Sequence, residues 1–244
     1  MAKPRSKAKK KKPAAKPAEK LPLKARLRRL IVRSLLAVIG LGLLWILAYS
    51  VFTPPTTYYI YSEHKRLGKL ERAWVDWEDI APVMARSVVA AEDANFCLHW
   101  GVDMSAVRAA IDDGGNRGAS TISQQVVKNV YLWHGRSYTR KALEALMTPM
   151  VELFWTKERI LEVYLNMIEY DEGVFGIEAA SLHYFGIPAQ ELSSQQAAAL
   201  AAVLPNPKGR SASKPAAAQQ RRARRIADGA ETIRRDGRSD CFED

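Results

Sequence analysis

The most regular feature of the chain is a run with no polar face. Ser34 to Phe52 (SLLAVIGLGLLWILAYSVF) is 19 residues without a charge. A surface helix of a globular domain would show one polar side, and this run has none. As a helix it spans roughly 28 Å at about 1.5 Å per residue, close to the hydrocarbon thickness of a bilayer. Thr53-Pro54-Pro55 follows, a stiff exit, because proline cannot continue a helix. Residues 57–64 (TYYIYSEH) favour a strand or extended segment by propensity. Tyr58, Tyr59 and Tyr61 also suit the headgroup level of a membrane. From Trp77 onward the apolar spacing turns helical. It predicts helices over 79–91, 121–133, 138–156, 157–170, 177–184 and 193–204, the last stopped by Pro205. Gly114, Gly115 and Gly118 mark a loop before the second of these. No βαβ alternation and no repeat of fixed period occurs, so the class is mainly α with one N-terminal transmembrane helix.

Charge changes the picture only once it is divided along the chain. The net charge of +11 over 244 residues invites a nucleic-acid reading. However, Met1 to Arg33 holds 14 Lys or Arg and one acid, a net +13, and the other 211 residues carry a net −2. The basic character belongs to the tail 1–33, whose Lys/Pro/Ala-rich start buries nothing and is expected to be disordered. A nucleic-acid partner is therefore not expected for the body. Arg26, Arg28, Arg29 and Arg33 flank one end of the span, which places the N-terminus in the cytoplasm and everything after Phe52 across the membrane. Ala48-Tyr49-Ser50 has the small-x-small form of a signal cleavage site, so a cleaved leader is the rival reading. The apolar run is longer than an ordinary leader's, which favours a retained anchor. Two cysteines, Cys97 and Cys241, cannot build a disulfide framework and form no C-x-x-C pair. Whether they pair is left open, as is the redox compartment.

Three places could carry chemistry. Glu92-Asp93 ends an apolar helical stretch, where desolvation raises a carboxylate's pKa and suits it to acid–base work. The plainer reading is two solvated acids at a helix end. Gly118 to Gln125 (GASTISQQ) sets small residues and hydroxyls before a helix, with Ser120 or Thr121 as N-cap. A glycine loop at a helix N-terminus can bind an anion, although the G-K-[ST] ending of a P-loop is missing. An ordinary cap leaves the two adjacent glutamines unexplained. Arg117, Lys128, Arg136, Arg140 and Lys141 crowd cations into a body that is otherwise neutral, and Glu144 shares a helix face with the last two. Either this is a solvated face with a weak ion pair, or an anion pocket such as one for pyrophosphate. Cys97 and His99 are wrongly spaced for a cysteine nucleophile on a helix, and His64, His99, His134 and His183 show no metal-ligand spacing. Ser6-x-x-Lys9 and Ser211-x-x-Lys214 lack the partner motifs of penicillin-binding domains and are chance matches. Arg221, Arg222, Arg224 and Arg225 are expected on a solvated or membrane-facing helix.

Taken in order, these segments resemble a known family. Glu92 to Gly101 reads E-D-x-x-F-x-x-H-x-G, Gly118 to Asn129 reads G-A-S-T-I-S-Q-Q-V-V-K-N, and Arg140 to Glu144 reads R-K-x-x-E. Ile160 to Asn166 reads I-L-E-x-Y-L-N, Gly176 to Ala180 reads G-I-E-A-A, and Ala197 to Pro207 ends in L-P-N-P. The set is similar to the peptidoglycan glycosyltransferases, the family 51 glycosyltransferase domain, over residues 75–210. The resemblance implies a lysozyme-like, mainly α domain that polymerises lipid II onto a growing glycan chain, with undecaprenyl pyrophosphate leaving and the configuration inverting. It implies Glu92 as the base on the acceptor 4-hydroxyl and Glu144 as the second carboxylate. It gives Lys128, Arg136, Arg140 and Lys141 the pyrophosphate, and Ser120, Thr121, Gln124, Gln125 and Asn129 the donor side. Asp93, Phe96 and His99 would order the Glu92 loop. Ala119 and Ser123 stand where Gly and Thr are commoner, Gln195 stands near a usual Glu, and the loop 111–117 is short.

The implied organisation is a cytoplasmic tail at 1–33, a transmembrane helix at 34–52, a membrane-proximal linker at 53–74, the catalytic domain at 75–210 and a basic C-terminal extension at 211–244. The domain would lie in the periplasm, held to the inner membrane. Partners are the membrane, lipid II, the growing chain and other cell-wall synthases. No cofactor is demanded by the sequence, and a divalent cation, Mg or Mn, is the one candidate, beside Glu144. The rivals are a glycan-cleaving lysozyme-like enzyme, which needs a catalytic Glu but no pyrophosphate pocket, and a non-enzymatic membrane-anchored scaffold.

Overall fold

The computed structural model describes residues 22–114, 118–135 and 137–243. Among them run, in chain order, α1 (Leu23–Val51), α2 (Tyr58–Leu67), β1 (Glu71–Arg72), α3 (Pro82–Glu92), α4 (Met104–Asp112), α5 (Ile122–Tyr131) and α6 (Tyr138–Phe154). Then come α7 (Lys157–Met167), β2 (Glu169–Asp171), β3 (Val174–Phe175), α8 (Ile177–Phe185), α9 (Ser194–Val203) and α10 (Ala217–Arg235). The class is mainly α, as the periodicity implied. The chain divides into two units, Met1–Gly42 and Leu43–Asp244.

In the first unit the described residues are the earlier part of α1. This helix begins at Leu23, so residues 23–33 of the basic tail are helical rather than disordered. Their Leu, Ile and Ala content favours helix, and nothing breaks it before the apolar run. A window of α1 has a mean hydropathy of 2.4 and is almost wholly uncovered by protein, unlike the core helix of a soluble domain.

The second unit starts with the last turns of α1. Trp155 donates its indole N–H to the Ile46 carbonyl at 2.9 Å, and Arg159 donates to the carbonyls of Tyr49 and Phe52. Tyr49 stacks on Tyr131 and Trp45 meets it edge-on, while Tyr131 lies against Trp155. Residues 57–64, expected to be extended, fold as α2. The β propensity of three tyrosines is overridden by local signals at both ends. The Thr57 side chain accepts the Ile60 N–H, and Gly68 closes the helix at φ 80°. Burial of Ile60 and Glu63 on one face completes the case.

The core is built by α3, α5, α7, α8 and α9, from which Met84, Val88, Val127, Leu161, Leu165 and Leu200 are excluded from solvent. Each such side chain contributes roughly 1.5–3 kcal/mol of transfer free energy. Alanine-rich α9 lets its neighbours approach closely, and α10 lies against both α9 and α3. The arginine-rich segment is an amphipathic helix: Arg221, Arg224 and Arg225 are exposed, as expected, while Gln219, Ile226, Ala230 and Ile233 are buried along one stripe. A small sheet of order β1-β3-β2, with β1 parallel and β2 antiparallel to β3, closes the far side. Gly176 stands there at φ 89°, where an added Cβ would meet the carbonyl oxygens of Ala73 and Asn166 at 3.0 Å.

Cys97 and Cys241 are joined in a disulfide across 144 residues of sequence, the pairing that the sequence left open. Arg86 adds an ion pair to Glu243 at 2.6 Å, and Arg238 donates to the Ala94 carbonyl. These contacts fasten the segment after α10 to the loop after α3. Replacing Cys241 with Ser should lower unfolding free energy by about 2–5 kcal/mol, since so long a closed loop strongly restricts the unfolded chain. Urea titration of the full chain in detergent, with and without reductant, checks this. Only the parent should respond to reduction.

Candidate active site

The site is assembled at the junction of α3 and α5. Pro82 opens α3 at a position where its missing N–H costs nothing, and an apolar run carries the helix to Glu92. Asp93 then leaves helical geometry and turns its carboxylate inward. One oxygen accepts the backbone N–H of Ile122, the first residue of α5, at 3.0 Å. The other accepts from His99 Nε2 at 2.8 Å. The tautomer follows from the next bond. Gly101 donates its N–H to His99 Nδ1 at 3.1 Å, so Nδ1 is the bare nitrogen and Nε2 carries the proton. Gly101 sits at φ 81°, where a Cβ would lie 2.4 Å from Thr148 Cγ2, and only glycine fits. Its carbonyl accepts the Thr121 hydroxyl at 2.6 Å.

A buried ion pair supports this loop from behind. Lys157 donates to Glu152 and to the His99 carbonyl, and lies 4.3 Å above the ring of the fully buried Phe96. Glu152 also accepts the hydroxyl of Ser123. Asp93, Phe96 and His99 thus hold the loop around Glu92. Lys157 and Glu152 share that task, and sequence reasoning missed both, because their pairing depends on α6 and α7 meeting beneath the loop.

Glu92 is held without being neutralised. Gln125 donates its amide N–H to Oε2 at 3.2 Å, and the Gln125 oxygen accepts the Tyr164 hydroxyl at 3.2 Å. Tyr164 is sealed from solvent, and burial pushes its pKa well above the usual tyrosine value, so the phenol remains a donor. Arg222 of α10 reaches Glu92 Oε1 at 3.5 Å. It is not the free surface residue that the arginine run suggested. Burial raises the pKa of Glu92 above the usual carboxylate value, against the opposing pull of the Gln125 bond, Arg222 and Lys128.

The hydroxyls and amides of 118–129 divide into two groups. Thr121 and Gln124 form a reciprocal capping box at the start of α5, and both are buried. Ser120 is exposed, while Gln125, Lys128 and Asn129 line a cavity of about 200 Å³ with Tyr59, His134, Tyr164 and Glu169. The Lys128 ammonium is half-buried and, among the described residues, makes no hydrogen bond or ion pair. Burial lowers its pKa, while the fields of Glu144 and Glu92 oppose that. His134, stacked 3.7 Å from Tyr59, has its pKa lowered to about 4 by burial and then by Lys128, Arg140 and Lys208, and is neutral at pH 7. On the opposite wall Tyr59 donates to Glu169 at 2.5 Å, and Lys208 bridges Glu63 and Glu169. Glu63, Glu169 and Lys208 carried no sequence signal, and Tyr59 was read only as a headgroup-level residue, because the four come from three separate parts of the chain.

Glu144 is buried on α6. Arg140 pairs with its Oε2 at 2.6 Å and Lys141 with its Oε1. Both carboxylate oxygens thus face cations, and among the described residues no group of three His, Cys, Asp or Glu could hold a metal. This donor set does not fit a divalent cation, and no step is drawn through one. Arg136 lies outside the described residues.

Comparison with known proteins gives the family. The transglycosylase family model matches residues 61–231, and the chain belongs to that family. It is 59% identical to the biosynthetic peptidoglycan transglycosylase of Jannaschia sp. (strain CCS1), over 88% of this chain and 90% of the relative. Against the proteins of that name from Pseudomonas entomophila (strain L48) and Pseudomonas fluorescens (strain Pf0-1) it is 47% and 56% identical. Those matches cover 77% and 63% of this chain, and 87% and 66% of the relatives. The family match extends beyond residues 75–210 at both ends, taking in most of α2 and of α10.

The Asp93 hub gives a direct test. Asp93→Ala leaves the Ile122 N–H and the His99 Nε2–H without their acceptor. Each stranded donor should cost about 1–3 kcal/mol in urea unfolding, whereas Asp112→Ala on the exposed end of α4 should change stability by less than about 0.5 kcal/mol.

Proposed function

We propose that Glu92 is the general base of glycan-chain extension and that Lys128 receives the leaving pyrophosphate. The chain is a peptidoglycan glycosyltransferase and polymerises glycan chains. In this reading the Glu92 carboxylate takes the proton of the acceptor 4-hydroxyl of the GlcNAc in lipid II as that oxygen attacks the anomeric carbon of the growing chain. The bond from that carbon to undecaprenyl pyrophosphate breaks on the opposite face, and the configuration inverts. The charge that develops on the pyrophosphate is met by Lys128, whose ammonium has no anionic partner of its own. Arg140 and Lys141 are held in register by Glu144, so the second carboxylate serves departure by fixing cations rather than by touching the sugar. Arg136 joins them on the motif resemblance. Ser120, Gln125 and Asn129 line the donor side, and Thr121 and Gln124 act through the helix cap. The single observation that carries the reading is a desolvated carboxylate, steered by Gln125, on the same helix-to-helix junction as an unpaired, half-buried ammonium.

The pH dependence follows from the two shifts. Glu92 accepts a proton only when ionised, so rate should fall as pH drops through its raised pKa, higher than for an exposed glutamate. Lys128 holds the anion only when charged, so rate should fall again as pH rises through its lowered pKa. The expected profile of polymer formation from labelled lipid II is a bell narrower than free Glu and Lys would give, and Lys128→Arg should move the alkaline limb upward. Glu92→Gln keeps shape but cannot take the proton, and should lose roughly 100- to 10,000-fold in rate while still folding. Near-normal polymer from Glu92→Gln would defeat the proposed role.

We further infer that the N-terminus faces the cytoplasm and that the body works in the periplasm against the inner membrane. The basic flank of the span supports this orientation, as does a disulfide, which persists in oxidising compartments. Alkaline phosphatase, active only after export, should be active when fused after the C-terminus, and a cytoplasm-only fluorescent reporter there should be dark.

A further inference from the structure

We propose that Arg222 is a positioning residue for the base, a fixed positive charge that keeps Glu92 ionised at working pH. The proposal rests on Glu92 being that base, and it follows from how α10 is seated. Arg222 stands on the stretch of α10 that packs on α3, and its guanidinium reaches back to the end of that helix. One nitrogen lies 3.4 Å from the Ala91 carbonyl and 3.5 Å from Glu92 Oε1. Among the described residues its Nε is buried with no partner. Arg66, by contrast, donates two nitrogens to Glu63 Oε2 at 3.0 and 2.5 Å. Arg222 instead holds its charge at a stand-off distance from a carboxylate that must stay free to accept a proton.

The two oxygens of Glu92 are thereby treated differently. Oε2 is fixed by a neutral donor, Gln125, and Oε1 looks toward a cation that does not close upon it. The ionisable groups facing this carboxylate are Asp93 beside it, Lys128 of α5, Tyr164 of α7 and Arg222 of α10. Helix α9, also packed on α3, carries no ionisable side chain. Asp93 favours protonation of Glu92 and is itself committed to Ile122 and His99. Tyr164 is neutral. Lys128 is the other opposing charge, but it faces Glu144 as well and is the group that bound pyrophosphate would neutralise. When substrate is in place, Arg222 is therefore the cation left to counter the desolvation of Glu92.

The disulfide belongs to the same device. Cys241 follows α10, and Cys97 follows Glu92 by five residues. The bond therefore joins the arginine's helix to the base's loop beyond the reach of either helix alone.

The test separates the charge from the fold and from the assignment of the base. The Glu92 carboxyl carbon is titrated by carbon-13 NMR in full-length protein labelled at glutamate, its signal assigned by loss in Glu92→Gln. The series comprises the parent, Arg222→Gln, Arg222→Met, Arg222→Lys and the exposed control Arg225→Gln. Removing an opposite charge within about 4–6 Å should raise the Glu92 pKa by about 1 unit in the Gln and Met variants. The acid limb of kcat/KM for polymer formation should rise by the same amount. Lys, which keeps a charge, should restore most of the shift, and Arg225→Gln should show none. An unchanged Glu92 titration in the Gln or Met variant overturns the proposal, as does an equal shift in Arg225→Gln. Failure of both charge-removing variants to fold would make Arg222 a structural residue and also overturn it. If the NMR titration shifts while the acid limb stays put, Glu92 is not the base and the charge effect alone survives.

Discussion

One buried carboxylate holds the catalytic junction together. Asp93 ends α3, receives the first N–H of α5 and accepts the proton-bearing nitrogen of His99. A carboxylate out of contact with water is tolerable only when hydrogen bonds replace its hydration, and here a helix N-terminus and an imidazole supply them. The geometry of Glu92 is a consequence. Its backbone is the residue before that hub, so its side chain can point only where the α3–α5 angle allows, toward Gln125 and Tyr164. Phe96, Lys157 and Glu152 then serve the same junction by keeping the intervening loop from opening.

The electrostatics of the cleft divide into charges that are balanced and charges that are not. Glu144 neutralises Arg140 and Lys141 in place, and Lys208 is shared between Glu63 and Glu169. Among the described residues Lys128 has no hydrogen-bond or ion-pair partner, which is an unfavourable state for a half-buried ammonium unless a substrate supplies the missing anion. The proposed release of pyrophosphate would gain from this arrangement, because the cation would stabilise charge that appears only as the bond breaks.

Much of this was legible along the chain where one period dominated. Helices α3 and α5 to α9 follow from apolar spacing with caps at Thr121, Ser137, Thr156 and Ser193. Their ends moved by a few residues where a cap or strand intervened, as at Glu169, where β2 begins two residues after α7 stops. Helix α2 was hidden because three tyrosines argue for strand while Thr57 and Gly68 argue for helix, and the short-range caps prevailed. Helix α10 was expected as a solvated or membrane-facing arginine helix, and Arg221, Arg224 and Arg225 are exposed, but its buried stripe of Ile226, Ala230 and Ile233 was not read. The site divides in the same way. Glu92, Lys128 and Glu144 stand in contiguous motifs. The partners that give the site its character, Lys157, Tyr164 and Arg222, stand 65, 72 and 130 residues beyond Glu92, and only the packing brings them in.

The Cys97–Cys241 bond also imposes an order of events on the making of the enzyme. A ribosome finishes Cys97 long before Cys241, and with the two 144 positions apart the first thiol must wait for nearly all of the body to follow. On the proposed topology the seam beside Glu92 closes only after α10 has reached the side of the membrane that holds α3, so closure of this bond would mark delivery of that helix. A molecule stalled before that point would carry every motif of the cleft yet lack the stitch between the segment after α10 and the loop after α3.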